Sequence, residues 1–423
     1  MCPAVCWKCV EDKYLSKQVK REGERLKCSV CDKTRKSFSV EHLGEVLAPV
    51  LREHIRPGDE IPEIGMGDDD HINYKQQGDP LSYWVQEILG QYFNFNEDIV
   101  EAVVASEHVD EADGDIAFFD STADYESTRT TLGEYYSEWN FVLRELKHSR
   151  RFFNSSAQAL FARLFAGIET MQSFGHKNRD KAVVRTLRRG SKLYRARTCD
   201  SLSRLNEFHA RPLKNVGPPP ATLARAGRMN VEGVVVFYGA TDPKTCLAEM
   251  RPALGGDTAL IELQTTKPLR VLDFTRLEQS HGEVLSYFQP NFTEEVERRA
   301  FLRRLHTLIS QPVVPGREAD YLITQTMAEY LAHVHEEPLE GILFKSVQRA
   351  GGINVVLFPE HYPVDSPDKS TFPLVYVDKS FKLFSTKEIR YKHREKRLVV
   401  DKGKVRVSSA YEEDEFLDDG WLE

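Results

Sequence analysis

Residues 226–249 read AGRMNVEGVVVFYGATDPKTCLAE. The β-branched and aromatic run from Val231 to Tyr238 predicts a strand. Thr241 or Asp242 then caps a helix with Pro243 in its first turn, running to Leu254 and placing Glu249 two turns along. The same texture continues downstream. Strands are predicted at Thr258 to Leu263, Val271 to Phe274, Gly341 to Lys345, Ile353 to Phe358 and Leu374 to Val377. A second helix is predicted from Tyr321 to His335, where Ile323, Met327, Tyr330 and Val334 mark one face. Short strands interrupted by helices define an α+β domain, expected over residues 185–385.

Upstream, the pattern is helical. Tyr83, Trp84, Ile88 and Leu89 recur at helix spacing, as do Ile99, Val103 and Val104. A longer helix is predicted through Leu132, Tyr135, Tyr136, Trp139 and Leu143. Another starts at the Ser155-Ser156 cap and buries Leu160, Phe161, Leu164, Phe165 and Ile168. Together they form an expected helical middle domain, 79–184. Pro57, Gly58, Pro62, Gly65, Gly67 and Asp68-Asp69-Asp70 place a linker within 46–78. The basic run Lys387 to Arg397 and the acidic end Glu412 to Glu423 read as a charged tail, 386–423. At 423 residues the chain exceeds one ordinary core, so a multidomain α+β protein is expected.

Composition narrows the function. The chain is 41% apolar and 29% charged, and no run approaches the length of a transmembrane helix. Met1-Cys2-Pro3 does not open a signal peptide, so a cytoplasmic location is the expectation. Net charge is −8, and from Gln76 to Thr128 there are 13 acidic residues and no Lys or Arg. Such a face reads as a solvated acidic surface that repels phosphate backbones, which argues against a nucleic-acid partner.

The seven cysteines are unevenly spread, five of them within the first 31 residues. Cys6-Trp7-Lys8-Cys9 and Cys28-Ser29-Val30-Cys31 form a CxxC-x18-CxxC pattern. Two residues between paired thiolates let a tight turn aim both sulfurs at one ion, and the intervening loop brings the second pair around. Residues 1–45 are therefore expected to be a zinc ribbon with Cys6, Cys9, Cys28 and Cys31 as ligands of a structural Zn²⁺, Cys2 being an alternative to Cys6. Four protein ligands leave no open position for a water, so the expected role is folding and not catalysis. Ten Lys or Arg against seven Asp or Glu in this segment favour partner docking or stabilisation over DNA binding.

Four fragments carry the remaining chemistry: Leu193 to Arg197, Ala226 to Tyr238, Ala240 to Glu249, and Gly341 to Ser346 with Gly351 to Phe358 after it. In this order they resemble the RES domain family, over roughly Lys192 to Val377. That family has an Arg on an early strand, a glycine-Arg-aromatic-Asn stretch before a strand ending in Tyr, and a Glu in the next helix. A late strand ends in Ser, and an Asn-hydrophobic-Phe strand follows. By position Arg195, Glu249 and Ser346 correspond to the namesake Arg, Glu and Ser, while Arg228, Tyr238, Gln325 and Asn354 match the surrounding pattern. Met229 stands where an aromatic is usual, and Ala240 where a small hydroxyl residue is common. The insert between Arg197 and Gly227, with Pro218-Pro219-Pro220, reads as a long surface loop.

The resemblance implies an ADP-ribosyltransferase-like fold that binds NAD⁺ as substrate and cleaves its nicotinamide–ribose bond. Arg195, Glu249 and Ser346 would be catalytic, and Arg195, Arg228, Tyr238, Gln325 and Asn354 would bind the dinucleotide. A guanidinium fork suits a pyrophosphate. A fixed carboxylate at Glu249 would stabilise the oxocarbenium-like sugar, unless it merely pairs with Lys244 or Arg251. Tyr238 would stack on the nicotinamide and Ser346 would bond its amide or the ribose. Cys246 is read as a small core residue. The resemblance thus implies an NAD⁺ glycohydrolase acting as a toxin or antiviral defence effector, as in toxin–antitoxin pairs. A protein ADP-ribosyltransferase and a non-catalytic zinc-ribbon adaptor remain alternatives. A regulatory antitoxin protein and homo-oligomerisation are the expected partnerships, with no membrane. The middle domain weakly resembles the HEPN-type domains fused to some RES proteins. HEPN ribonucleases carry Arg-x4-6-His; Arg144 to His148 is one residue too short, so a scaffold, sensor or oligomerisation role is expected.

Overall fold

A computed structural model describes residues 3–63, 73–107, 117–128, 133–174, 180–281, 284–310, 318–360, 371–389, 398–401 and 404–407. Cys2, Gly65, Gly67, Asp68 to Asp70, Leu132, most of the basic run after Ile389, and the acidic end lie outside the described residues.

The N-terminal unit is built on a three-stranded antiparallel sheet with Thr34–Ser39 between Ala4–Cys6 and Glu24–Lys27. Helix Lys13–Glu22, capped by Asp12, buries Leu15 and Val19 against it. Helix Val40–His54 then runs across the boundary expected at 45, because Leu43, Leu47 and Leu51 recur every four residues and Ser39 caps it. The expected linker is also structured. Glu60–Glu63 pairs with Asn73–Gln76, and Ile55–Pro57 pairs with Asp124–Ser127.

The helices expected to form one middle domain divide between two cores. Leu81–Leu89 and Asn96–Ala105 pack with Leu43, Leu47, Leu51 and Tyr125 in the N-terminal core. Gly133–His148 and Ser155–Leu164 instead bury Tyr135, Trp139, Leu160, Phe161 and Leu164 against the C-terminal sheet, beside Leu272, Ile342 and Val356. Each helix carries a single apolar stripe, and the nearest apolar face available to it decides where it docks. Asn154, not Ser155, caps the second of these helices by accepting the Ala157 N–H over 2.8 Å.

The C-terminal domain is a nine-stranded, mostly antiparallel sheet. Its order is Val184–Leu187, Leu269–Asp273, Gly341–Lys345, Ile353–Leu357, Phe237–Ala240, Lys192–Cys199 and Asp257–Thr265; the last also pairs with Leu374–Tyr376 and Lys382–Ser385. Leu269–Asp273 and Gly341–Lys345 are parallel, and their crossover carries helices Phe292–Ser310 and Leu322–His333. These helices and the Gly133–Leu164 pair cover one face; Leu193, Phe237, Ile261 and Val355 belong to the core on the other.

Three expectations shift. The strand expected from Val231 begins only at Phe237, because Asn230 Nδ2 gathers the carbonyls of Arg225, Val231 and Val234 and curls the chain, with Gly233 at φ 83°. The helix expected to reach Leu254 stops at Glu249; Arg251 sits at φ 45° ahead of Pro252, which disfavours helical geometry at the residue before it. The insert is not a loose loop. It folds as helices Leu202–Ala210 and Pro212–Val216, burying Phe208 and Val216 over the sheet. Leu398–Asp401 and Lys404–Val407 form a hairpin within the expected tail.

Candidate active site and metal centre

The site begins as a fault in the sheet. Strands Lys192–Cys199 and Phe237–Ala240 pair at one position only, Tyr194 opposite Ala240, and then part. Arg195 spans the gap. Its Nη1 donates to the Tyr238 carbonyl, and its Nε donates to the carbonyls of Val216 and Gly217, each at 3.1 Å. The insert is thus fastened over the opening as a roof, and Arg197 adds a 3.1 Å bond to Gly217 O. Burial lowers Arg195 to about 10, with Arg197 contributing, so the guanidinium stays charged at neutral pH. Its Nη2 has no partner among the described residues.

Between roof and sheet lies a cleft of about 1310 Å³. Arg195, Arg197, Arg204, Lys214, Arg225, Arg228 and Arg251 line it, against the two carboxylates Glu207 and Glu249. In a chain of net charge −8 this is a concentrated positive field suited to an anionic ligand. Tyr238, Cys246 and Asn354 share the lining.

Glu249 closes helix Pro243–Glu249, which Asp242 caps by accepting the Thr245 N–H. Two donors fix one carboxylate oxygen: Ser346 Oγ at 2.6 Å and Asn354 Nδ2 at 2.8 Å, both on Oε1. The other oxygen, Oε2, has no bond from any described residue. Ser346 is buried at the end of strand Gly341–Lys345, and its oxygen also accepts the N–H groups of Gln348 and Arg349 at 3.1 Å. Its hydrogen-bonding capacity is therefore spent on the protein. Asn354 is 7% exposed and its Oδ1 has no partner among the described residues, an acceptor left open within the lining.

The remaining expected residues hold the wall. Tyr238 donates its hydroxyl to Asn230 Oδ1 and accepts from the Met229 N–H, each at 2.9 Å, and burial pushes it up to about 12. A side chain at Gly227 would strike that hydroxyl at 2.8 Å. Gln325 is buried below the loop, donating to the carbonyls of Gly227 and Asn230 at 2.7 and 3.0 Å, and does not line the cleft. Arg228 lines it, with Nη1 on Ile309 O at 2.7 Å and its guanidinium over the Tyr321 ring. Cys246 is buried, with its thiol driven up to about 12 mainly by burial, as befits a core residue. The sequence reading missed Arg204 and Lys214, whose insert looked like a loop, and the Asp242–Thr245–Arg349 cluster behind Glu249. The signal for the latter was an Arg three residues after Ser346.

At the other end of the chain, the Cys6, Cys9, Cys28 and Cys31 sulfurs all lie within 4.8 Å of one another, and none forms a disulfide. Cys6 and Cys31 sulfurs are 3.8 Å apart, and a tetrahedral zinc site with Zn–S bonds of about 2.3 Å has edges of ~3.8 Å. Burial would raise the Cys6 thiol, but hydrogen bonds from the Lys8 backbone and the neighbouring thiols bring it to about 7. Cys9 moves upward, chiefly through burial. Four thiols sharing one half-buried site fit a soft divalent cation.

The C-terminal domain is thus of the mixed-sheet α+β class, with a cation-rich cleft set around one clamped carboxylate. Residues 192–376 match the family model of the RES domain, and the chain carries a RES domain in that segment. All seven expected cleft residues fall inside the match; the helices of 133–164 that complete its core do not. No curated protein and no solved structure matches the chain.

Proposed function

We propose that the RES domain, of a family associated with NAD⁺-using enzymes, hydrolyses NAD⁺ at the nicotinamide–ribose bond. The observation that carries this reading is Glu249 with Oε1 held by Ser346 and Asn354 and Oε2 bonded by no described residue, on a cleft walled by guanidinium groups. The cationic wall draws in the diphosphate, with Arg228 and the Nη2 of Arg195, which no described residue bonds, among the available donors. Nicotinamide leaves as a neutral ring, so no general acid is required. As the bond opens, positive charge grows on the ribose, and the fixed carboxylate of Glu249 stabilises it without reorganising. Water then adds to the anomeric carbon, its proton passing to solvent, and ADP-ribose is released. Asn354 Oδ1 is an open acceptor for a ribose hydroxyl or the carboxamide. Ser346 acts through Glu249.

Incubation with NAD⁺ labelled in its adenylate half tests this. Free labelled ADP-ribose with an equal yield of nicotinamide is the expected result. Label retained on protein assigns the domain to ADP-ribosyl transfer, and intact NAD⁺ with both wild type and Glu249→Gln leaves a non-catalytic adaptor. We further propose that the four cysteines bind a structural zinc ion, and that the activity serves as a toxin or defence effector of the cytoplasm, held in check by a regulatory protein. Among the described residues no helix is long and apolar enough to cross a membrane.

A further inference from the structure

Helix Pro243–Glu249 has seven residues, and a helix that short has little stability of its own. Both its ends are tied to one turn of chain, 346–352. At the C-terminal end Ser346 Oγ holds Glu249. At the N-terminal end Arg349 Nη1 donates to Asp242 Oδ1 and to Thr245 Oγ1, each at 2.9 Å. Thr245 is fully buried and donates to Asp242 Oδ2 over 2.6 Å, so cap, first turn and guanidinium form one closed cluster. The approach is tight: a side chain at Gly352 would lie 2.4 Å from Thr245 Oγ1. The Thr241 N–H also bonds Ile353 O over 3.0 Å. The two ties are coupled, because Ser346 Oγ accepts the Arg349 backbone N–H and so sets where that side chain starts.

We propose that Arg349 is a positioning residue for Glu249, anchoring the front of its helix to the turn that holds the carboxylate from behind. Arg349 is absent from the cleft lining, so it acts through the helix and not on the ligand. It also faces the carboxylate of Asp242, which sits below the usual carboxylate range: burial alone would raise it, but the bonds from Thr245 and the charge of Arg349 outweigh that. The catalytic half of this inference rests on Glu249 stabilising the sugar cation; the structural half does not.

The test compares the full-length wild type with Arg349→Gln and Arg349→Lys. Amide exchange at Cys246 and Met250, whose N–H groups bond Asp242 O and Leu247 O, should quicken in Arg349→Gln while strand Asp257–Thr265 stays protected. kcat for nicotinamide release should fall about tenfold with KM unchanged, since a misplacement of about 1 Å can cost up to 10²-fold. The acid limb of kcat should move to higher pH as Asp242 loses its cation, and Arg349→Lys should restore much of each effect. Wild-type exchange in Arg349→Gln overturns the proposal, as does a raised KM at constant kcat. If the wild type releases no nicotinamide, the hydrolase reading falls, while amide exchange still decides the anchor.

Discussion

Ser346 donates its hydroxyl to Glu249 Oε1 over 2.6 Å, from a strand end 97 residues away. With Asn354 on the same oxygen, the carboxylate cannot turn without breaking two bonds. Glu249→Gln keeps the shape and removes the charge, so kcat for nicotinamide release should fall about 10²–10³-fold. Ser346→Ala leaves Asn354 in place and should cost about tenfold, the scale of one hydrogen bond to a charged group. Steady-state rates on proteins with matching circular dichroism check both values. Equal losses would mean that Ser346 touches the substrate.

Metal removal should be felt at a distance from the cleft. The four thiols lie between strand ends of the N-terminal sheet, so the zinc proposed for them would be part of folding that unit. Cys28→Ser, or a strong chelator, should remove one zinc per chain by mass spectrometry and lower the melting temperature of the N-terminal unit. NAD⁺ turnover should change far less than this unit's stability.

His54 packs edge-on against Tyr287 and Phe292, at 5.2 and 4.8 Å between ring centres, joining the N-terminal unit to the segment ahead of helix Phe292–Ser310. Burial lowers its pKa, against the opposing charge of Glu53. Between the folded value and the ordinary one the unfolded chain binds more protons. Stability therefore falls as pH drops through the ordinary histidine range, about 6.5. Thermal melts between pH 7.5 and 5 should show this loss, and His54→Phe should flatten it. An unchanged slope in the variant would place the acid sensitivity elsewhere, such as at the more deeply buried His306, whose pKa burial also lowers.

A fragment starting at Lys192, where the family match begins, should not fold alone. It lacks Tyr135, Trp139, Leu160, Phe161 and Leu164, which cover Leu272, Ile342 and Val356. Uncovering such a face favours aggregation. A fragment starting at Gly133 retains the cover and should remain monodisperse in gel filtration; equal behaviour of the two would sink the shared-core argument.

The late strands were legible because their β-branched runs end at Gly, Pro or charged residues, as at Gly341 and Ile353. Helix Phe292–Ser310 was not: its stripe of Phe301, Leu302, Leu305 and Ile309 is diluted by seven charged neighbours in FTEEVERRAFLRRLHTLIS. Val234 to Val236 look like a strand but are bent away by the Asn230 side chain, a tertiary effect that no periodicity records. Glu249 and Ser346, singled out through the order of fragments, meet in one hydrogen bond at the cleft. Gln325 and Tyr238, expected to bind the dinucleotide, instead bond the 227–230 loop, since which face a buried polar group meets depends on elements far off in the chain.

Arg195 grips only main-chain oxygens: those of Val216, Gly217 and Tyr238. A clasp made on peptide groups is indifferent to the side chains it joins. Most of the covering segment can therefore drift in sequence while its seat stays fixed, the constraint at that joint falling on Arg195, on Arg197, which also bonds Gly217 O, and on Gly217, where a side chain would meet Leu213 O at 2.1 Å.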